Sequence, residues 1–275
     1  MSIIHAVILG IIEGITEFLP VSSTGHLTIA EKLLGYDITD TAMTAFTAFI
    51  QVGATAATLI YFRKDILRVL AAWFKGVAGG DKNTSDYRLG WGIIIGSIPI
   101  AIVGLAFKDQ IESGLRSLWL VAFGLLAWSL VMYLTEKHAT QKRPEKTTTW
   151  KDTLFIGTVQ CLALVPGVSR SGATISASLF RGFDRVTATR LSFFLSIPAL
   201  MAAGILEAVT KADEIGERVG WKPTIVATLI SFVVAYAAVA WLLKFIATHS
   251  FKSFIVYRLA LGGVLIILLT TGVIR

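Results

Sequence analysis

Charged residues and cysteine are both scarce in this chain. Only 16% of its 275 residues are charged, and 55% are hydrophobic, whereas a soluble globular protein carries about 25% charged residues. A water-soluble fold of this length cannot bury so much apolar surface, so the composition excludes an ordinary soluble domain. The single cysteine, Cys161, excludes an intrachain disulfide and a cysteine-rich metal site, and it lies in an apolar stretch.

Basic residues are in excess, and the formal net charge is +7. They lie in short connections between apolar stretches rather than in one stripe or tail, which is where a nucleic-acid-binding protein concentrates them. We therefore expect no nucleic-acid partner, and we interpret the basic connections as a membrane-topology signal.

Long apolar stretches are abundant. Six are long enough to cross a hydrocarbon core of roughly 30 Å. They cover approximately 41–62, 90–107, 117–135, 186–209, 223–246 and 254–274. Polar residues and several tryptophans gather at their ends, as is typical of membrane interfaces. The sequence predicts an all-α integral membrane protein with six transmembrane helices.

An internal repeat appears when the sequence is shifted by 147 residues without a gap. The identical pairs are Gly10 and Gly157, Ser22 and Ser169, Gly25 and Gly172, Gly35 and Gly182, Asp37 and Asp184, and Phe46 and Phe193. We predict a single polytopic membrane domain over 1–275, made of one repeat over about 1–135 and a second over about 150–275.

The centre of each repeat is a polar turn with Gly and Pro between apolar stretches. In the first repeat, residues 3–19 and 26–35 are marginal or too short to span, and Pro20 breaks any continuous helix between them. We predict a re-entrant helix-turn-helix hairpin there and another at 150–182. Non-helical backbone at membrane depth must be satisfied by protein or a water-filled cavity, so the two turns are expected to meet. The alternative is that 3–35 simply spans.

The distribution of Lys and Arg predicts the orientation. If neither hairpin crosses, the loops at 63–89, 136–151, 181–190 and 244–258 share one side with 17 basic residues, against 7 on the other. The positive-inside rule assigns the first group to the cytoplasm. The hairpins then enter from opposite sides, an inverted-topology repeat that places a binding site near the midplane.

Two carboxylates lie in the first hairpin. Glu13 and Glu17 are four residues apart, so both project from one helix face toward the turn. Two neighbouring carboxylates suit a divalent cation such as Mg²⁺ or Ca²⁺, or an acid and base pair. The alternative is that the hairpin lies shallow and both groups are hydrated at the interface.

The second turn supplies the opposite charge. Arg170 lies between Ser169 and Ser171, and the guanidinium, the hydroxyls and free N–H groups at a helix start would form a phosphate cradle. Alternatively, Arg170 only neutralises a glutamate in a structural ion pair. Thr174 either adds a hydroxyl or bonds its own helix backbone.

The first turn carries hydroxyls and a histidine close together. Ser22, Ser23 and Thr24 with His26 offer a nucleophile and a base, although Ser and Thr are also common helix caps and a lone His is often structural. Gln51 either lines the same cavity or hydrogen-bonds a neighbouring helix.

Residues 13–26 read Glu-Gly-Ile-Thr-Glu-Phe-Leu-Pro-Val-Ser-Ser-Thr-Gly-His, and 166–174 read Pro-Gly-Val-Ser-Arg-Ser-Gly-Ala-Thr. They closely resemble the two signature regions of the bacterial undecaprenyl-diphosphate phosphatase family, and the resemblance covers essentially the whole chain. It implies hydrolysis of undecaprenyl diphosphate to the monophosphate and inorganic phosphate, which recycles the cell-wall lipid carrier and is linked to bacitracin resistance. It also implies a divalent cation and a multi-pass protein of the bacterial inner membrane, and we expect the site to open to the extracytoplasmic side.

The resemblance also implies roles for individual residues. Glu13 and Glu17 would be acid/base or metal-associated carboxylates, and Ser23 with His26 would be the nucleophile and its proton-transfer partner. Arg170, supported by Ser169 and Thr174, would clamp the diphosphate.

Lipid transport is the alternative from another class, because inverted repeats with broken helices are common in transporters. A flippase moves lipid without releasing phosphate, so turnover separates the two activities. Small-residue patterns, such as Gly96 with Gly104 and Gly262 with Gly263, permit close helix packing within one chain or in a homodimer.

Overall fold

The computed structural model describes residues 1–107, 110–111 and 117–274. Helices form its regular structure there, apart from one isolated bridge between Arg143 and Phe183. The principal helices are α1 Ile3–Thr16, α2 Ser23–Leu33, α3 Thr41–Tyr61, α4 Arg63–Val77, α5 Ser85–Ala106, α6 Leu118–His138, α7 Trp150–Gln160, α8 Arg170–Phe180, α9 Arg185–Thr210, α10 Trp221–Thr248 and α11 Lys252–Thr270.

Six of these helices, α3, α5, α6, α9, α10 and α11, are long and apolar enough to cross a membrane. They confirm the six predicted spans, with ends that differ by a few residues. Their outward faces keep large apolar side chains exposed, including Ile98 and Ile102 on α5 and Leu229 and Val233 on α10. Exposed apolar bands of this kind are stable against lipid and not against water.

Two pairs of shorter helices surround the predicted turns. Helix α1 has 14 residues, and α2, α7 and α8 have 11 each. At about 1.5 Å per residue, each is at most about 21 Å long, which is shorter than the hydrocarbon core. Proline and glycine within 17–22 and 165–169 interrupt helical hydrogen bonding, and a turn separates the two short helices at each place.

The two turns end in the same backbone conformation. Ser22 and Ser169 both have a left-handed φ of 76°, which is uncommon for residues other than glycine. Each serine then caps the helix that follows: Gly25 N–H donates to Ser22 Oγ at 3.3 Å, and Gly172 N–H donates to Ser169 Oγ at 3.1 Å. The 147-residue interval therefore relates residues of equal conformation.

Each pair of short helices packs against a long helix from the other half of the sequence. Helix α1 lies on α10, and α7 lies on α5. The second contact depends on glycine, because a Cβ added at Gly157 would lie 1.8 Å from the carbonyl oxygen of Gly96. This close approach holds the second turn against the body of the bundle.

The glycines of the two small-residue patterns differ in their surroundings. A Cβ at Gly262 would meet Leu126, and Gly96 is in the α5–α7 contact just described, so both serve packing within the chain. A Cβ at Gly104 or at Gly263 would meet nothing within 4 Å. A homodimer therefore stays a prediction.

Asp152 connects the start of α7 to the end of α8. It is fully buried in the first turn of α7, where it forms a capping box with Thr149. Its carboxylate accepts from Arg143 Nη2 at 2.7 Å and from Arg181 Nε, at the end of α8, at 2.7 Å. The two arginines compensate for the burial of the charge.

Candidate active site

The two polar turns lie in direct contact, as expected. Ser171 Oγ of the second turn donates to the carbonyl oxygen of Leu19 in the first at 2.8 Å. Arg170 Nη2 donates to Glu17 Oε1 at 2.9 Å. Residues about 150 positions apart in the sequence thus share one site.

Glu17 is the hub of this site. One carboxylate oxygen accepts from Arg170, and the other accepts from Ser23 Oγ at 2.5 Å and from Gln51 Nε2 at 3.5 Å. Because an ionised carboxylate can only accept hydrogen bonds, Ser23, Gln51 and Arg170 each donate to Glu17, and the arrangement orients the serine hydroxyl and the guanidinium around it. Both roles considered for Gln51 occur together, because it lines the cavity and also donates a hydrogen bond to Glu17 on a neighbouring element.

Glu13 lies one helical turn before Glu17 and is fully buried. Among the described residues, no hydrogen-bond donor reaches either of its carboxylate oxygens. Its carboxyl lies beside that of Glu17, and Arg170 and Glu31 are further charged neighbours. Both carboxylates are therefore enclosed by protein, which argues against the shallow, hydrated alternative, and Glu13 keeps two oxygens available for another partner.

Arg170 has bonding capacity beyond its ion pair. Its guanidinium packs over the ring of Phe18 at 5.2 Å, and its Nε–H is buried without an acceptor among the described residues. It also lines the cavity. A guanidinium at a cavity wall with a donor that the protein leaves unpaired is suited to an oxyanion in addition to Glu17.

The other polar residues of the second turn either line the cavity or hold the turn in place. Ser169 lines the cavity, and its Oγ lies 3.0 Å from Ser171 Oγ. Thr174 Oγ1 lies 2.9 Å from the carbonyl oxygen of Arg170 and 2.7 Å from Ser192 Oγ. Thr174 therefore bonds its own helix and α9, and Ser171 bonds the first turn. In this structure both residues hold the turn in place.

His26 is directed toward α11. Its Nδ1 lies 2.7 Å from the carbonyl oxygen of Ser22, and its Nε2 lies 2.7 Å from the hydroxyl of Tyr257. Because a carbonyl oxygen only accepts, Nδ1 carries a proton, and in the neutral ring Nε2 accepts from the tyrosine. The rings of His26 and Tyr257 also stack. Both ring nitrogens are thus engaged away from Ser23, whose hydroxyl donates to Glu17.

A cavity of about 290 Å³ lies beside Glu17 and Arg170. Its polar wall consists of Glu17, Ser22, Ser23, Thr24, Thr44, Gln51, Gln160, Ser169, Arg170 and Ser196. Its apolar wall includes Ile100, Ala163, Leu164, Val165, Ala199, Leu200 and Ala203. The cavity therefore offers polar groups to a charged headgroup and apolar side chains to a hydrocarbon chain.

Sequence reasoning missed Gln160. It is 1% exposed and lines the cavity. It follows Glu13 by 147 residues, so the repeat that aligned Ser22 with Ser169 also aligns these two residues. The repeat was the signal that could have identified it.

The prediction that Arg258 belongs to a cytoplasmic loop at 244–258 is wrong. Arg258 lies inside α11 and is fully buried. Its Nη2 donates to the carbonyl oxygens of Gly167 at 2.8 Å and Val168 at 3.1 Å, and its Nη1 donates to that of Pro20 at 3.3 Å. One guanidinium thus binds the backbone of both turns. A charge inside an apolar stretch was the available signal.

Within the described part of the chain, no cluster of three or more His, Cys, Asp or Glu side chains is placed to hold a metal ion. Glu17 lines the cavity, and Glu13 lies one helical turn before it. Their hard oxygen donors, and the two unpaired oxygens of Glu13 in particular, fit a cation of the Mg²⁺ or Ca²⁺ type that takes further ligands from phosphate.

The chain is similar to several curated proteins over its whole length. It is 62% identical to undecaprenyl-diphosphatase 3 of Frankia casuarinae, 55% identical to undecaprenyl-diphosphatase of Cutibacterium acnes and 51% identical to undecaprenyl-diphosphatase 1 of Streptomyces avermitilis. Each match covers 100% of this chain and 99% or 100% of the relative.

A family model agrees with these relatives. The model described as bacitracin resistance protein BacA matches residues 6–264. That range includes both polar turns, the cavity and all the residues discussed above. The buried site that joins two distant turns is therefore that of a family member, and this chain belongs to the BacA family.

Proposed function

We propose that this chain hydrolyses undecaprenyl diphosphate to undecaprenyl phosphate and inorganic phosphate. The observation that carries this proposal is the contact of Glu17 with both Ser23 and Arg170 at the wall of a cavity that is also lined by apolar side chains. A base, a hydroxyl and a phosphate-binding cation are thereby assembled next to room for a lipid chain. The names of the relatives support the same substrate.

In the first step, Ser23 Oγ attacks the terminal phosphorus of the diphosphate. Its proton passes to Glu17, which accepts from that hydroxyl at 2.5 Å. The P–O bond of the anhydride breaks, and the lipid monophosphate leaves with the bridging oxygen. Arg170 binds the phosphate oxygens and offsets the charge that develops on them.

In the second step, water attacks the phosphorus of the phosphoserine and the Ser23 O–P bond breaks. Glu17 returns its proton to the serine oxygen, and inorganic phosphate is released. Direct attack of water on the diphosphate, with Glu17 as its base, is the alternative mechanism. The short bond between Ser23 and Glu17 supports the covalent route.

The site also suits a divalent cation, for which we propose Glu13 and Glu17 as protein ligands. Mg²⁺ in phosphoryl-transfer sites typically binds one or two carboxylates, and substrate phosphates complete its shell. Such an ion would neutralise phosphate charge and stabilise the departing oxygen. Burial of Glu13 without a protein donor supports this assignment.

We further propose that α1–α2 and α7–α8 are re-entrant hairpins of an inverted repeat. Their helices are too short to span, and their turns are satisfied inside the bundle by the Arg258 guanidinium. Each hairpin also packs on a long helix of the other half. A two-fold related pair of units would produce this reciprocal packing.

The excess of basic residues in the loops of one side supports an orientation in a bacterial inner membrane. Removing Arg258 from that side leaves the excess in place, 16 against 7. With this orientation, we propose that the cavity opens to the extracytoplasmic side. The lipid tail would follow the apolar wall, which α5 and α9 supply through Ile100 and Leu200.

Transport without hydrolysis is not favoured, since the relatives carry the name of a diphosphatase. The test is phosphate release from undecaprenyl or farnesyl diphosphate by purified protein in detergent. We expect release that EDTA abolishes and added Mg²⁺ or Ca²⁺ restores. Folded protein that releases no phosphate with any divalent ion would refute the proposal.

A further inference from the structure

Gln160 lines the cavity, and both polar atoms of its side chain are buried and unpaired among the described residues. Both Oε1 and Nε2 are buried, and neither has a hydrogen-bond partner there. A buried amide without partners is costly, and such groups are uncommon in folded proteins. This cost is expected where a ligand supplies the missing bonds.

The position of Gln160 identifies the part of the ligand that it would meet. It ends α7 and is followed by Ala163, Leu164 and Val165, which belong to the apolar wall of the cavity. Glu17, Ser23 and Arg170 line the same cavity. Because the chain neighbours of Gln160 are apolar lining residues, its amide is placed to meet the part of the polar head from which the hydrocarbon chain of a lipid extends.

We propose that Gln160 is a substrate-binding residue whose Nε2–H donates to the phosphate esterified to the lipid, the one that stays on the product. The inference rests on the proposed phosphatase function and adds a second phosphate subsite to it. Arg170 and Ser23 hold the terminal phosphate for transfer, and Gln160 positions the phosphate that leaves with the lipid.

A neutral amide suits this position for an electrostatic reason. The product phosphate must leave after each turnover, and an amide donor binds it more weakly than a second guanidinium would. At the corresponding place in the first repeat stands Glu13, a carboxylate that would repel phosphate unless a cation lay between them. The two aligned positions therefore carry side chains with different tasks.

The test compares Gln160→Leu with Ser231→Ala. Ser231 is also fully buried with an unpaired hydroxyl, but it does not line the cavity. Phosphate release is measured in detergent with farnesyl phosphate as a competitive inhibitor. We expect the inhibition constant of farnesyl phosphate to rise about tenfold in Gln160→Leu, the effect of one lost hydrogen bond to a charged group. In Ser231→Ala it should change less than twofold.

Melting temperatures separate binding from a structural role. Because leucine removes an unpaired buried amide, the variant without ligand should melt at the same temperature as the wild type or higher. The increase in melting temperature caused by farnesyl phosphate should be smaller than in the wild type. A variant that melts lower but keeps the full increase would overturn the proposal, as would an unchanged inhibition constant.

The proposed function and this inference can fail separately. If the wild type releases no phosphate, the proposed hydrolysis is wrong, and the shift of melting temperature by farnesyl phosphate still tests whether Gln160 binds a lipid phosphate. If the wild type is active and Gln160→Leu retains both the inhibition constant and the ligand-induced shift, only the inference fails.

Discussion

Glu17 and Arg170 are 153 residues apart in the chain, and their side chains form an ion pair of 2.9 Å between the two polar turns. Neither side chain is more than 13% exposed. A buried pair of this kind contributes little net stability, because desolvation offsets the attraction, but the loss of one partner leaves an uncompensated charge. The pair therefore couples the geometry of the candidate site to the correct docking of the two polar turns.

Arg170→Ala is expected to destabilise the protein as well as to inactivate it. Removing the guanidinium leaves the Glu17 carboxylate buried without its cation, at a cost of about 3 kcal/mol or more. Adding Glu17→Gln to this variant should recover part of the lost melting temperature without restoring activity. The control is Arg68→Ala, whose guanidinium is half exposed and should matter little. Strictly additive losses in the double variant would contradict the coupling.

Glu17→Gln by itself tests the proposed general base. Glutamine keeps the size of the side chain and can still accept a hydrogen bond from Ser23, but it cannot take the proton of the serine. We expect kcat for phosphate release to fall by roughly 10²–10⁴, the usual contribution of a positioned base. A decrease smaller than about tenfold would assign the base to another residue, with His26 as the next variant to measure.

Ser23→Ala distinguishes the covalent route from direct attack by water. If the serine is the nucleophile, the variant should release no phosphate above background, and wild-type protein quenched during turnover should carry phosphate on Ser23 by mass spectrometry. Ser22→Ala is the matched control, since that hydroxyl caps α2 at Gly25 and makes no contact with Glu17 that would activate it. Substantial activity in Ser23→Ala would exclude the phosphoserine intermediate.

Arg258→Gln should disorganise both turns at once. Its guanidinium binds the carbonyl oxygens of Pro20 and Gly167, and glutamine can replace only part of that fork. We expect a lower melting temperature and at least a tenfold loss of activity, from about 3 kcal/mol of lost stabilisation. Arg218→Gln, at an exposed ion pair with Asp40, should leave both properties unchanged. A stable, fully active Arg258→Gln would show that the turns hold their conformation without it.

Asp152 is expected to contribute stability that depends on pH. Burial raises the pKa of its carboxyl, but hydrogen bonds from Arg143, Thr149 and Arg181 outweigh it and hold the pKa well below the usual 3.8. The stabilisation is therefore fully present above about pH 4 and is lost as the pH falls below it toward the folded pKa.

The melting temperature of Asp152→Asn should accordingly lie below that of the wild type at pH 7, and the difference should shrink as the pH falls below about 4. Asp213→Asn, in the connection between α9 and α10, is the control variant and should behave like the wild type. A difference that stays constant down to acid pH would show that Asp152 contributes no charge-dependent stability.

Much of the fold followed from local properties of the chain. Six helices have the length and hydropathy that the bilayer requires, so composition within windows of about 20 residues located them. The turns were visible because Pro20 and Gly167 interrupt apolar helical stretches, and the repeat was visible because turn residues recur at one interval. The same turns drew attention to Glu17, Ser23 and Arg170.

The partners of the site residues did not follow from the sequence. Sequence spacing predicted that His26 and Ser23 act together as a base and a nucleophile. In the structure His26 hydrogen-bonds Tyr257, and the Ser23 hydroxyl donates to Glu17. Residues three apart are neighbours on a helix, but the partners that orient these two side chains, Glu17 and Tyr257, come from other elements. Arg258 was misassigned to a loop because its burial depends on the turns that it binds.

The sequence by itself determined the membrane class, the number of spans, the position of the two polar turns and the residue types available for phosphate chemistry. These features depend on interactions between near neighbours and on the transfer of segments into lipid, so short windows of the sequence are enough to predict them. Only the tertiary structure decided that Glu17 joins Ser23 to Arg170, that Arg258 binds both turns, and that Gln160 lines the cavity unpaired. Those contacts connect segments more than 90 residues apart or depend on side-chain direction, and local periodicity contains no information about either.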